Sequence, residues 1–241
     1  MAEQDKPLSG RLALVTGASR GIGAATTEAL AAAGAHVVLT ARDVRELEAL
    51  EDRIHEAGGN STIAPVDLAE QDGISRLAGA IAGRWDKLDI LVICAAYLPT
   101  LTSVTQIDAK QFSEAITVNV LATQALLAAL DPLLKRADAA RVIGLTSSVG
   151  ESPRAYWGAY GSSKAAFDNL LGSYAREVEK ISGIRVAILD PGATRTAMRA
   201  KAYPGEAPET LKPPEAVAER IVELLVNDFA TGHRERVERG G

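Results

Sequence analysis

The sequence is poor in cysteine and histidine, which limits the kinds of site it can hold. Its 241 residues include one cysteine, Cys94, so no disulfide can form within the chain, and such sparse use of cysteine is typical of cytosolic proteins. The three histidines, His36, His55 and His233, lie far apart in the sequence. Because no cluster has the ligand spacing of a metal centre, we predict no metal site.

The sequence also lacks an excess of positive charge and a long hydrophobic run. The formal net charge is -5 and the pI is near 5.4, so no basic surface for nucleic acid is expected. The longest apolar run, VLATQALLAAL, is too short to span a bilayer and is predicted to be a buried helix. The N-terminal segment MAEQDKPLSG is charged and has no apolar core of the signal-peptide kind. We therefore expect a cytoplasmic protein that binds neither nucleic acid nor a membrane.

What is present is an alternation of short apolar segments and helical segments. Six β-branched segments bounded by turn residues are typical of strands buried on both faces: RLALVTG, HVVLTAR, STIAPVD, LDILVICAA, RVIGLTSS and IRVAILDPG. Helices are predicted at 21–33, 43–57, 70–84, about 108–136, about 154–181 and around 214–227. This order predicts an α/β fold of the Rossmann type, a doubly wound parallel sheet with helices on both faces. Residues 1–241 are predicted to form a single domain, with a substrate lid at about 195–213 that overlaps the Pro-rich stretch YPGEAPETLKPPEA.

The segment LALVTGASRGIGAATTEAL places a strand, a glycine turn and a helix in succession. Gly17 permits a sharp exit from the strand, Gly21 lets the backbone approach a pyrophosphate, and Gly23 allows close contact between helix and strand. The free N–H groups and the positive dipole end at the helix start favour phosphate. With a strand before it and a helix after it, the pattern Thr-Gly-x-x-x-Gly-x-Gly indicates dinucleotide binding rather than a turn without a ligand.

Tyr160 and Lys164, in the segment YGSSK, are four residues apart and would share one face of a helix. The lysine charge would favour an ionised tyrosine and lower its pKa toward neutrality. Tyr160 could then exchange a proton with a carbonyl or alcohol oxygen. Both residue types are common, so the pair alone is weak support for catalysis.

Together with this pair, four other motifs resemble those of the short-chain dehydrogenase/reductase family: TGASRGIG, VNV around Asn119, TSSVG with Ser147, and DPGATRT. They follow the family's order and spacing, and the similarity covers residue 10 to about residue 228. The resemblance implies that Tyr160 is the general acid/base, that Ser147 binds the substrate carbonyl, and that Lys164 hydrogen-bonds the nicotinamide ribose. It also implies that Asn119 holds a water on a proton relay to the lysine. Ser148 is the alternative to Ser147 if the register slips by one.

The residues after the second strand indicate which nicotinamide cofactor binds. Ala41 stands where a carboxylate would bind a ribose 2′-hydroxyl, Arg42 follows it, and Arg20 offers a second guanidinium. Arginine suits a 2′-phosphate, so we predict NADP(H). The loop and the resemblance, which places Asp67 at the adenine, together predict these cofactor-binding residues: Gly17, Ser19, Arg20, Gly21, Ile22, Gly23, Arg42, Asp67, Leu68, Ala95, Tyr160, Lys164, Pro191, Gly192, Thr194 and Thr196.

Two segments depart from the family's pattern. Ile93-Cys94-Ala95-Ala96 replaces Asn-Asn-Ala-Gly, so the hydrogen bonds that hold this strand end must be absent or replaced. Cys94 is interpreted as a small buried hydrophobe, with a redox role as the alternative. The C-terminal segment ATGHRERVERGG is highly charged where family members often have an apolar strand. We therefore expect a seventh strand that is short or missing.

Aromatic and apolar residues near the expected crevice predict a partly apolar carbonyl or alcohol substrate. The substrate candidates are Ser147, Tyr97, Pro153, Trp157 and Tyr203. Two alternatives stay open, an NADP-responsive binding or regulatory protein on the same fold and an NAD-dependent alcohol dehydrogenase. Nucleotide-sugar epimerases and dehydratases use the same Tyr–Lys chemistry, but they are usually longer and have another glycine spacing. The helices at 108–136 and 154–181 carry apolar residues on a wide arc, which predicts a homodimer or a homotetramer.

Overall fold

The protein is described here from a computed structural model covering residues 6–70 and 72–238. In these residues, seven strands form one parallel sheet in the order β3-β2-β1-β4-β5-β6-β7. The strands are β1 Leu12–Thr16, β2 His36–Thr40, β3 Asn60–Ile63, β4 Ile90–Ile93, β5 Arg141–Leu145, β6 Arg185–Asp190 and β7 His233–Arg236. The predicted parallel sheet is confirmed.

Helices connect the strands and cover both faces of the sheet. They are α1 Gly21–Ala32, α2 Val44–Glu56, α3 Gly73–Ala82, α4 Ala109–Ile116, α5 Ala122–Arg136, α6 Ser148–Glu151, α7 Gly158–Val178, α8 Ala197–Ala202 and α9 Pro214–Val226. A π-helical turn, Thr117–Leu121, joins α4 to α5, and 3-10 turns occupy Val104–Gln106 and Pro208–Thr210.

The alternating side chains of β1 show how the two layers of the core arise. Side chains along a strand point in turn to opposite faces of the sheet. Leu14 lies in the apolar cluster that contains residues of α3, α5 and α7. Its neighbour Val15 lies in the cluster that contains residues of α1, α2 and α9. A strand with helices on both sides of the sheet needs apolar side chains on both of its faces, which explains why the sequence of β1 is a continuous apolar run.

The helix over residues 109–136 is longer than the apolar run alone indicated. It continues through the π-helical turn for 28 residues, and its most apolar 18-residue window has a mean hydropathy of 1.4. By length and composition alone the helix could cross a membrane, and 39% of that window is buried inside the protein. The run VLATQALLAAL, which was expected to be too short to span a bilayer, is one part of this helix, and the bounds of the helix agree with those predicted at about 108–136. Its residues Leu126, Leu130 and Leu134 are buried in the core, as predicted for a buried helix.

The seventh strand is present and short. Its four residues pair in parallel with β6, from Ala187 beside His233 to Asp190 beside Arg236. Two ion pairs hold it to the neighbouring helices, Arg234 with Asp168 of α7 and Glu235 with Arg220 of α9. Of the charged C-terminal segment, residues 239–241 lie outside the described residues.

The segment expected to form a lid contains α8 and the Pro208–Thr210 turn. A β-bridge between Thr194 and Lys212 joins its two ends. Arg199 forms a two-pronged ion pair with Glu206, with both N–O distances at 2.6 Å. The segment is therefore folded on itself beside the carboxyl ends of the strands.

Candidate active site

A cavity of about 900 Å³ lies at the carboxyl ends of the strands, where the chain order reverses between β1 and β4. Open parallel sheets bind ligands at this point. All the predicted cofactor residues except Gly192 and Thr194 line it: Gly17, Ser19, Arg20, Gly21, Ile22, Gly23, Arg42, Asp67, Leu68, Ala95, Tyr160, Lys164, Pro191 and Thr196. The fold thus brings residues from distant parts of the sequence to one opening.

The glycine loop leaves no room for side chains at two positions. Gly17 has a φ of 67°, and a Cβ there would lie 2.8 Å from the Ala95 Cα on the neighbouring chain segment. At Gly23, a Cβ would collide with the Gly17 carbonyl group. The side chain of Arg20 does not cap α1, and the first turn of the helix carries no acidic residue. The N–H groups at the start of α1 are therefore available to a phosphate.

Tyr160 and Lys164 lie side by side on α7 and both line the cavity. Tyr160 is buried and Lys164 is only 2% exposed. The Lys164 Nζ donates a hydrogen bond of 2.7 Å to the carbonyl oxygen of Leu145, at the end of β5. It lies 5.9 Å from the centre of the Tyr160 ring. The arrangement predicted from the four-residue spacing is therefore present.

The pKa values of this pair differ from the sequence expectation. Burial raises the pKa of Tyr160 above its usual value, and the charges of Asp190 and Asp168 raise it further. Burial also lowers the pKa of Lys164 to about 8, although Asp168 and Cys94 act in the opposite direction. The expected lowering of the Tyr160 pKa by Lys164 is not found in the chain, because burial disfavours the charged phenolate. At neutral pH, Tyr160 is a neutral phenol and Lys164 is mostly charged.

Asn119 lies in the π-helical turn and is buried. Its Oδ1 accepts a hydrogen bond from the Tyr97 N–H (2.8 Å), and its Nδ2 donates to the Tyr97 carbonyl oxygen (3.0 Å) and to Ser163 Oγ (2.9 Å). Ser163 in turn donates to the carbonyl oxygen of Tyr160 at 2.8 Å. Asn119 therefore connects the loop after β4 to the helix that carries Tyr160. A π-helical turn at such a position is typical of functional sites.

Comparison with known proteins places this arrangement in a family. The profile of the short chain dehydrogenase family matches residues 11–207. The chain belongs to that family. It is 35% identical over 224 residues to the uncharacterized oxidoreductase YciK of Escherichia coli K12, covering 92% of this chain and 88% of YciK. The family consists of oxidoreductases that use nicotinamide cofactors and act on small molecules.

Solved structures of short chain dehydrogenases have the same fold as this chain. One from Pseudomonas syringae is 38% identical, with a TM-score of 0.94 and coverage of 98% of both chains. Another, from Escherichia coli CFT073, was solved in complex with NADPH; it is 34% identical, with a TM-score of 0.93 and coverage of 98% of this chain and 100% of the other. These similarities confirm the predicted family and fold.

The departure from the short-chain dehydrogenase pattern at the end of β4 is compensated by other hydrogen bonds. The N–H of Ala95 donates to Thr16 Oγ1 at 3.2 Å, and Asn119 holds both backbone groups of Tyr97. Burial raises the pKa of the Cys94 thiol to about 12. The thiol is therefore protonated at neutral pH, which favours the interpretation of Cys94 as a small hydrophobe over a redox role.

Ser147 is less clearly part of the cavity than Tyr160 and Lys164. Its backbone is extended, and it directly precedes α6, whose first residue is Ser148. The preceding residue, Thr146, lines the cavity, whereas Ser147 and Ser148 do not. The structure therefore places Ser147 and Ser148 beside the site, directly after a residue that lines it.

Of the other substrate candidates, only Tyr97 lines the cavity. Pro153 does not. Trp157 and Tyr203 are not among the lining residues; their ring centres are 5.7 Å apart, and the Trp157 ring is 6.0 Å from that of Tyr160. The lining residues that sequence reasoning missed include Glu114, Met198 and Lys201. Glu114 precedes Val118 by one helical turn, and both line the cavity.

Three arginines lie along the part of the cavity near β2. Arg20 and Arg42 were predicted there, and Arg45 of α2 was missed. The Arg42 side chain is 62% exposed, and its Nη1 lies 3.9 Å from Asp67 Oδ2. A dinucleotide with a 2′-phosphate fits these residues. The backbone N–H groups of the glycine loop can bind its pyrophosphate, and the exposed guanidinium groups can turn toward its 2′-phosphate.

Proposed function

We propose that the protein is a cytoplasmic, NADP(H)-dependent oxidoreductase that interconverts a carbonyl group and an alcohol, with Tyr160 as the general acid/base. The observation that carries the proposal is the pair Tyr160 and Lys164, which lies on one helix face at the cavity that the glycine loop also lines. The glycine loop and the arginines Arg20 and Arg42, which line the same cavity, suit a dinucleotide that carries a 2′-phosphate. The cytoplasmic location is supported by the single cysteine.

The chain's own groups supply the proton chemistry. When bound, the nicotinamide supplies the hydride that turns a carbonyl carbon into an alcohol carbon. Tyr160, a neutral phenol at neutral pH, donates the proton that the carbonyl oxygen then needs. Lys164 gives one of its three N–H donors to Leu145, which leaves two for a ribose hydroxyl or a water. The positive charge of Lys164 also stabilises the phenolate that Tyr160 leaves behind.

Ser147 and Asn119 complete the proposed machinery. The hydroxyl of Ser147, beside the cavity-lining Thr146, would orient the carbonyl oxygen toward Tyr160. Asn119 would hold a water on the path between Lys164 and solvent, and its side chain fixes Tyr97 and α7 around that path. These roles follow from the resemblance, and both residues lie next in sequence to residues that line the cavity, Thr146 and Val118.

Cofactor choice rests on the end of β2. Arg42 and Arg20 offer guanidinium groups to a 2′-phosphate, and Ala41 provides no carboxylate for a 2′-hydroxyl. The Escherichia coli CFT073 relative, which was solved with NADPH, supports the same choice. These observations favour NADP(H) over the alternative of an NAD-dependent alcohol dehydrogenase.

The test is NADPH oxidation with a panel of aldehydes, ketones and quinones, followed by Tyr160→Phe with the best substrate. We expect Tyr160→Phe to lower kcat more than tenfold, a barrier increase of more than about 1.4 kcal/mol, while the Kd for NADPH stays nearly unchanged. Tyr174→Phe is the matched control, because Tyr174 is also a buried phenol of α7 but hydrogen-bonds Asp131 away from the cavity.

Two results would contradict the proposal. Retention of more than about a tenth of the wild-type kcat in Tyr160→Phe would show that another group transfers the proton. Tight NADPH binding without oxidation by any member of the panel would favour an NADP-responsive binding or regulatory protein.

A further inference from the structure

Strand β7 is charged in a pattern that directs two arginines to one face. Side chains alternate along a strand, so Arg234 and Arg236 share a face while Glu235 points to the other. The Arg234 Nη2 lies 2.7 Å from Asp168 Oδ2, and the Arg236 Nε lies 3.9 Å from Asp190 Oδ2. Asp168 and Asp190 are the two carboxylates whose charges act on Tyr160. The charged strand therefore faces the two acidic groups whose charges raise the pKa of Tyr160.

Asp168 is the more unusual of the two carboxylates. It follows Lys164 by one helical turn on α7, and its side chain is only 12% exposed. Among the described residues, its second oxygen, Oδ1, is buried and has no hydrogen-bond partner. A buried, half-satisfied carboxylate is costly to the fold. Its position beside Lys164 offers a functional reason for keeping it.

We propose that Asp168 and Arg234 act together as positioning residues that hold the protonation state of Lys164, which makes β7 part of the electrostatic environment of the site. Lys164 matters for turnover only if the function proposed above is right. Its protonation, however, can be measured without catalysis.

The expected effects of the two residues have opposite signs. A carboxylate near Lys164 stabilises the charged ammonium, so removing the Asp168 charge should make Lys164 lose its proton at lower pH. Arg234 offsets part of that carboxylate's field, so removing Arg234 should make Lys164 keep its proton to higher pH. Loss of packing alone would not produce shifts in opposite directions.

The other groups around this network stay in place in such variants. Cys94 and the Leu145 carbonyl face Lys164 from β4 and β5, Asp190 faces Tyr160 from β6, and Glu151 of α6 lies 3.9 Å from Arg234. Cys94 is protonated at the pH values concerned because burial raises its pKa to about 12. A change in the Lys164 midpoint in these variants can therefore be attributed to the charge of Asp168 or of Arg234.

The test is an NMR titration of the free protein labelled with ¹³C at the lysine Cε, with the Lys164 signal identified by its loss in Lys164→Arg. The wild-type midpoint should fall near pH 8, where burial places the pKa of Lys164. Asp168→Asn should lower the midpoint by roughly half to one pH unit, as expected for a partly screened charge about one helical turn away. Arg234→Gln should raise it by less, because Arg234 lies on β7 and pairs with Asp168 rather than with Lys164. The double variant should titrate between the two single variants.

Arg220→Gln is the matched control. It breaks the ion pair with Glu235 (2.7 Å), which lies on the other face of β7, and it should leave the Lys164 midpoint unchanged. Shifts of the same sign in Asp168→Asn and Arg234→Gln, or no shift in either, would overturn the proposal. If Asp168→Asn fails to fold, the half-exposed Arg234→Gln alone decides, because only a rise in the midpoint agrees with the proposed role.

A second readout separates this proposal from the proposed function. If Lys164 takes part in turnover, the pH profile of kcat/KM should shift with the NMR midpoints in both variants. NMR shifts of opposite sign without any change in the pH profile would support the role of Asp168 and Arg234. The same result would count against the role in turnover that the proposed function assigns to Lys164.

Discussion

At the scale of single residues, the end of β2 governs how the cavity would distinguish two cofactors. Ala41 packs against the core and carries no charge, and Arg42 extends into solvent beside Asp67. A carboxylate at position 41 could accept hydrogen bonds from ribose hydroxyls but would repel a 2′-phosphate. Under the proposed function, these two adjacent side chains, together with Arg20, would set the cofactor preference.

The first residue-scale prediction is that Ala41→Asp combined with Arg42→Gln shifts the preference from NADPH toward NADH. The ratio of the two Kd values should change at least tenfold, or about 1.4 kcal/mol, because the variant exchanges a phosphate-binding charge for a repelling one. Fluorescence titration with each cofactor measures the ratio.

The control for that exchange is Arg53→Gln on α2. It removes an exposed ion pair with Glu28 and lies outside the cavity lining, so the Kd ratio should not change. Equal affinity of the wild type for NADH and NADPH would refute the role assigned to the arginines.

The sequence could predict which residues meet at the site but not their proton affinities. The meeting of Tyr160 and Lys164 follows from helical spacing within one element. Their pKa values depend on burial and on Asp190, which arrives from β6. Burial, the larger cause, and the approach of Asp190 both arise only in the folded chain, so the pKa of Tyr160 is raised where the sequence predicted a lowered one.

At the scale of elements, the contact between β5 and α7 positions the candidate catalytic pair. Gly144 of β5 lies beneath α7, and a Cβ there would be 2.8 Å from Phe167 Cζ. The next residue, Leu145, accepts the hydrogen bond from Lys164. Close packing of helix on strand at Gly144 therefore sets where α7, and with it Tyr160, lies over the sheet.

We predict that Gly144→Ala destabilises the fold by about 1–3 kcal/mol, because the added methyl group overpacks this contact. Chemical denaturation measures the free energy of unfolding. Gly79→Ala is the control: Gly79 lies in α3 with nothing within 4 Å of its missing side chain. It should stabilise the protein by about 0.4–1 kcal/mol. A Gly144→Ala variant as stable as the wild type would show that the contact is loose.

Elements with a strong apolar pattern were predictable, and those without one were not. The six short segments became β1 to β6, and all but the edge strand β3 (NSTI) are apolar because parallel strands covered on both faces need apolar side chains on both. The π-helical turn at Thr117–Leu121 leaves that pattern unbroken, so the sequence does not reveal it. Strand β7 is held partly by ion pairs to Asp168 and Arg220, and such long-range pairings cannot be read from a charged segment.

At the scale of the whole molecule, the helix over residues 109–136 has more apolar surface than the core uses. Leu126 and Leu130 are buried, but Leu121 is 57% exposed. A helix this apolar that leaves Leu121 exposed to solvent would be more stable if another surface covered its exposed side. A second copy of the chain would provide it through an isologous contact, in which each helix meets its symmetry mate.

The last prediction is therefore that the protein is a homodimer through α4, α5 and α7. A homotetramer is less favoured, because an edge strand as short and charged as β7 discourages pairing between sheets. Light scattering at micromolar concentration should give a dimer mass for the wild type, and Leu121→Glu should shift it toward the monomer by placing a charge in the contact. Ile181→Glu is the control, since Ile181 is 72% exposed but lies beyond the end of α7. A monomeric mass from an active wild-type sample would rule the dimer out and leave the open face of the helix without a partner.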